Sequence, residues 1–174
     1  DDWVPRIGVA RMSVWDEASP AMAQAVDEAC ARASAAGAEV KRLPVDPIFE
    51  AVYRAHFVVQ DYELARSLAW EVDNHSELLS EKLRAMIGGG AASPPENYVA
   101  ALADARRGRA VSDTLFGDTD VLIAPSASTS APAGLESTGS PNFTRLWTLL
   151  GLPTVNVAGL VDENKLPLGI QIIG

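Results

Sequence analysis

One cysteine, two histidines and no long apolar run define what this 174-residue chain does without. A single thiol, Cys30, cannot close an internal disulfide, so nothing requires an oxidising compartment. It falls among alanines on the apolar side of a helical pattern, where a buried thiol is inert. His56 and His75 lack ligand spacing with each other or with Cys30, which argues against a zinc site. No apolar segment approaches the roughly 20 residues that span a bilayer, and no secretory signal is visible. Neither G-x-x-x-x-G-K-[ST] nor a G-x-G-x-x-G after a strand is present. Basic residues are also scarce: 14 Lys and Arg face 23 Asp and Glu, a net charge of -9 that phosphate backbones would repel. The cluster Arg106, Arg107 and Arg109 lies within a helical pattern and reads as a solvated helix face. We therefore expect a cytoplasmic chain with no metal, no cofactor, no nucleic acid and no membrane among its partners.

What is present points to one α/β domain spanning residues 1–174, long enough to bury a core. Ile7–Ala10 predicts a short buried strand. Ser19 and Pro20 open a helix, one as cap and one in the first turn, and Gly37 ends it. "EVKRLPV" alternates as a second strand, which completes a βαβ unit. Asp46 and Pro47 open a long amphipathic helix that fades near Asp73 and Asn74. A shorter helix is expected to stop at "GGG", residues 88–90. Ser93 and Glu96 are spaced as a capping box for the next helix, expected to run to about Phe116. "DVLIAP" is a third strand, and residues 126–140 form a long Ser-, Gly- and Pro-rich loop of the kind that is often functional. A short helix with Phe143, Leu146, Trp147 and Leu150 inward ends at Gly151. Two strands, "PTVNVAGLV" and "PLGIQIIG", close the chain around the turn "DENK". The start at Asp1 and the apolar strand running to Gly174 lead us to expect a chain cut at both ends.

No complete catalytic site is legible. The loop serines Ser126, Ser128, Ser130, Ser137 and Ser140 lack a G-x-S-x-G elbow, and no Asp and His follow in hydrolase order. A serine needs an adjacent base to attack at neutral pH, and local loop hydrogen bonds account for these hydroxyls. Asp16 with Glu17, and Asp118 with Asp120, sit at turns and helix ends, where acids cap. What remains is a hydroxyl-rich loop after a strand, followed by a helix with an aromatic pair. Ligands gather at the carboxyl ends of strands in open α/β sheets.

At these residues the chain resembles the amidase-signature hydrolases, over almost its whole length. "RIGVARMSVWDEASPAMAQAVDEACARASAAGAEVKRL" is similar to the segment after the family's signature region. "DTDVLIAP" through Gly174 is similar to its closing motif, with Gly151 and Pro153 as G-x-P and Leu166–Gly174 as "LP-x-G-x-Q-x-x-G". Asn156 and the missing proline in "TVNVAGL" depart from it. The resemblance implies a mixed β-sheet of about five strands flanked by helices, part of a larger α/β/α fold. It also implies hydrolysis of a carboxamide by a Ser, cis-Ser, Lys triad: serine attacks, a neutral lysine acts as base through the bridging serine, and water releases the acid. In the family those residues precede the strand at Ile7, so no residue here inherits a catalytic role. The family's short helix faces the acyl group, which makes Phe143, Thr144 and Trp147 candidate pocket lining, with Ser126 beside them. Core packing explains Phe143 and Trp147 equally.

Three functional expectations compete. The first is the carboxy-terminal part of an amidase for a small-molecule amide, inactive alone, with an exposed apolar face that supports a homodimer. The second is a stand-alone, non-catalytic binding module of the same fold. The third is a hydrolase using a serine of residues 126–140.

Overall fold

A computed structural model describes residues 3–174. Five strands, β1 (Arg6–Ala10), β2 (Glu39–Leu43), β3 (Val121–Pro125), β4 (Thr154–Val161) and β5 (Pro167–Ile173), form one mixed sheet in the order β2-β1-β3-β5-β4. Six helices flank it: α1 (Pro20–Ala35), α2 (Pro47–Ser67), α3 (Ala69–His75), α4 (Glu81–Ala92), α5 (Pro95–Ala110) and α6 (Asn142–Leu150). β1 pairs in parallel with β2 and β3, as the intervening helices require. β5 runs antiparallel to β3, and β4 folds back on β5 as a hairpin. The sheet and its helices are the α/β architecture expected from the sequence.

Alternation along the strands divides the core in two. Val9, Ile123, Leu168 and Ile170 face α1, which answers with Met22, Ala25 and Val26. Leu122, Ala124 and Ile173 face the opposite side, where α2, α5 and α6 contribute Phe49, Val52, Ala105 and Leu146. Local signals place the helix ends. The Ser19 hydroxyl accepts the Met22 N–H at 3.2 Å, and Asp46 accepts that of Ile48 at 2.8 Å. Gly37 and Gly151 take φ of 98° and 76° just past α1 and α6, where a side chain would be strained.

Four local expectations give way to tertiary contacts. "GGG" does not stop a helix: α4 runs through it to Ala92. A Cβ on Gly90 would collide with the Asp61 carbonyl, so glycine is there to let α4 lie against the backbone of α2. The Ser93–Glu96 capping box does not form. Pro94 takes the N-cap position without a side-chain bond, and Ser93 instead closes α4. α5 ends at Ala110, ahead of a 3-10 turn at Ser112–Leu115. Arg109 lies on the exposed face with Arg106 and Arg107, and its Nε and Nη2 also donate to the Leu149 carbonyl at 3.0 and 2.6 Å and satisfy the end of α6. Asp118 and Asp120 are not caps. Asp118 pairs with Lys41 and Asp120 with Arg6, each at 2.5 Å. Among the described residues no helix is long and apolar enough to cross a membrane.

Candidate functional site

The carboxyl end of β3 is joined to β4, β5 and α6 by a polar knot. Ser126 leaves β3 with its N–H donated to the Gly169 carbonyl at 3.0 Å and its hydroxyl donated to Asn156 Oδ1 at 2.5 Å. Asn156 stands opposite Gln171 in the β4–β5 ladder. A Cβ on Gly169 would overlap the Asn156 carboxamide, so glycine at 169 makes room for that side chain. Gln171 is 3 % exposed, and its Nε2 donates to the carbonyls of Pro125 and Phe143 at 2.7 and 2.8 Å. One buried amide thus ties the end of β3 to the first turn of α6. Buried polar groups of this kind are stable only when paired. The part played by Asn156 and Gln171 was not foreseen from sequence. The available signal was a polar side chain at an inward position of an otherwise apolar strand.

The four expected lining residues fall into two pairs. Ser126 and Thr144 are half-buried and reachable from solvent, and the Thr144 hydroxyl donates to the Pro141 carbonyl at 2.8 Å. Phe143 and Trp147 are 3 % and 5 % exposed and belong to the core on the α2 side. Trp15 meets the Phe143 ring edge-on with centroids 6.3 Å apart. A void of about 10 Å³ lies against Tyr53, Phe143 and Trp147, room for one water at most. The Trp147 indole nitrogen has no hydrogen-bond partner among the described residues.

Four of the five loop serines have hydrogen-bonded hydroxyls, none of them to a base. Ser130 donates to Asp162 at 2.7 Å, the Ser137 hydroxyl accepts the Gly139 N–H, and Ser140 donates to Glu17. Ser126 and Ser130 reach partners 30 and 32 positions away, so their bonds are not the local ones expected. No loop serine is hydrogen-bonded to a lysine or histidine among the described residues. The Ser130 hydroxyl and the backbone N–H groups of Leu166 and Asn164 hold the Asp162 carboxyl below the ordinary carboxylate range. That carboxylate lines a cleft of about 800 Å³ between the start of α1 and the β4–β5 turn, with Gln24, Glu28 and Asn164. Its walls mix hydroxyl, amide and carboxylate groups with the apolar Ala25, Leu160 and Val161, and hold no nucleophile–base pair.

Comparison with known proteins gives this geometry a context. A family model described as Amidase matches residues 4–174. The 2-amino-5-chloromuconic acid deaminase of Comamonas testosteroni is 29% identical over 181 residues, which cover 97% of this chain and 39% of that protein. A glutamyl-tRNA(Gln) amidotransferase subunit of Trichormus variabilis is 29% identical over 202 residues, 97% of this chain and 41% of its own length. A crystal structure of an amidase superposes with a TM-score of 0.86 at 25% identity, over 98% of this chain and 41% of that one. The chain therefore spans about two-fifths of the length of the relatives it matches.

Proposed function

The chain belongs to the Amidase family, and on that premise we propose that it forms the carboxy-terminal part of an enzyme that hydrolyses the C–N bond of a small-molecule carboxamide through an acyl-enzyme. One observation carries this reading: the family match runs along nearly the whole chain, yet the chain covers only about two-fifths of the relatives it matches. The serine, bridging serine and lysine of the proposed reaction are supplied by the other three-fifths. The 174 residues contribute scaffold and one wall of the acyl pocket. In that wall Ser126 and Thr144 face the substrate, while Phe143 and Trp147 stand behind them and fix the angle of α6. The knot through Gln171 holds the two parts in register. A site on such a frame keeps its geometry because its supports are packed and hydrogen-bonded. The free thiol of Cys30 is compatible with the cytoplasm. We further propose that the exposed edge of β4 is the contact face of a homodimer of this chain. The stand-alone binding module has no observation in its favour.

Ammonia release from a panel of aryl, aliphatic and carboxylate-bearing amides tests the reading. The 174-residue chain is expected to release none, and the protein read from the whole gene is expected to turn over at least one. Turnover by the 174 residues that disappears on Ser126→Ala or Ser130→Ala would overturn the proposal and favour a serine of the loop as nucleophile.

A further inference from the structure

Arg145 is 8 % exposed, yet no carboxylate lies within ion-pair distance of it among the described residues. Neutral groups hold it. Its Nε donates to Asn142 Oδ1 at 2.8 Å, and its Nη1 donates to Gln60 Oε1 at 2.7 Å and to His56 Nδ1 at 2.9 Å. The guanidinium carbon sits 4.1 Å from the centre of the Phe57 ring. α2 therefore supplies three contacts within two turns, and α6 supplies the cation and its first partner. Nη2 makes no hydrogen bond among the described residues.

The charge balance around this group is incomplete. Both carboxylate oxygens of Glu17 accept from Asn142 Nδ2, at 2.8 and 2.9 Å, so Glu17 reaches Arg145 only through that amide. Glu17 and Asp61 favour the cation at a distance, but burial outweighs them and pushes the guanidinium below its usual range. It stays charged, since arginine does not lose its proton in proteins. His56 adds no second charge. Accepting at Nδ1 assigns its proton to Nε2, and burial followed by the charge of Arg145 lowers its pKa. A cation removed from water without a countercharge is costly. The usual compensation is an anion at the open side.

We propose that Arg145 is the receptor for the carboxylate of a small-molecule acid, bound through the two N–H groups of Nη2 at the α2–α6 seam. A guanidinium already stacked and hydrogen-bonded on its other sides loses little freedom on binding. One positive charge matches one carboxylate. Phosphate concentrates close to two negative charges on the one group that touches the guanidinium, with Glu17 nearby in a chain of net charge -9, whereas a carboxylate brings one and leaves the rest of the acid in solvent. The site does not depend on the protein being a hydrolase, so its test is made by binding alone.

Titration calorimetry of the 174-residue chain with succinate, succinamide and inorganic phosphate decides the matter. Succinate is expected to bind, succinamide not to bind, and phosphate to bind at least tenfold more weakly than succinate. Arg145→Lys keeps the charge but loses the planar donor edge, and is expected to weaken succinate at least tenfold. Gln60→Glu supplies an internal countercharge while leaving the arginine in place, and is expected to abolish succinate binding in a chain that still melts cooperatively. Failure of succinate to bind the unaltered chain overturns the proposal, as does tighter binding of phosphate. Where Arg145→Lys does not fold, Gln60→Glu decides: unchanged succinate affinity in that variant also overturns it. None of these outcomes bears on ammonia release, so the amidase reading stands or falls separately.

Discussion

At one edge of the sheet β2 carries Glu39, Lys41 and Arg42 within five residues; at the other, β4 runs for eight residues without a charge. Lys41 reaches both Glu39 and Asp118, which fastens the β2 edge to the turn before β3. Charges on an edge discourage further strand pairing, because a new partner would have to desolvate them. β4 has one defence. Its ladder with β5 breaks between Val157 and Leu160, around Gly159 with φ of 128°, and a bulge of this kind ends regular pairing. The other half of the strand is bare, with Val155 and Val157 exposed by 64% and 46%. β2 is built as an outer edge, and Thr154–Val157 is built as an inner strand. The apolar pattern of β4 makes sense when something covers it, which is why its edge is the contact face proposed above.

The contrast can be broken or sharpened by substitution. The largest effect is expected in the packed half. Phe49 is 1 % exposed beneath α5 and α6, and Phe49→Ala is expected to cost about 3–5 kcal/mol by urea unfolding. Val155→Ala on the bare strand should change stability by no more than about 0.5 kcal/mol in the same experiment, run dilute enough to keep the chain monomeric. Comparable losses at both sites would mean that β4 is covered within the monomer itself. A second test moves association rather than stability. Sedimentation should show the unaltered chain dimerising, and Val155→Lys with Val157→Lys should shift it to monomer by giving β4 the charges that β2 has. A monomer at all concentrations before substitution would remove the homodimer. The smallest effect belongs to the guarded edge. The Lys41 ammonium, by its hydrogen bond first and its charge second, holds Asp118 below the usual carboxylate range. A depressed folded pKa contributes stability above the unfolded value and loses it as pH falls through the folded one. Asp118→Asn should therefore flatten the acid limb of the stability–pH curve slightly and leave neutral-pH behaviour nearly unchanged.

Much of the frame is legible in the amino-acid sequence. The strands and the βαβ unit follow from apolar periodicity along the chain, and the caps at Ser19 and Asp46 and the stops at Gly37 and Gly151 from contacts made within a few residues. The candidate wall is legible only as a region. Phe143 and Trp147 sit at helical spacing that fits a pocket and a core equally, and their burial depends on Trp15 and on α2 arriving from elsewhere. The arginine receptor escapes sequence reading for the same reason. Arg145 lies four residues from Leu149 and two from Phe143 on an inward helix face, which flags it as unusual, but His56 and Gln60 stand 89 and 85 positions away.

Sequence by itself determined where the strands, α1 and α6 lie, and that the elements make an α/β sheet. Those properties rest on apolar periodicity and on capping groups, which act over a few residues. Tertiary structure alone decided that β5 inserts between β3 and β4, that Gly90 continues a helix rather than ending one, and that Asp118 and Asp120 seek cations rather than caps. It also decided which edge of the sheet is guarded. The physical reason is shared: a glycine, a carboxylate or a valine has several satisfactory local settings, and only the neighbour brought in by the fold selects one.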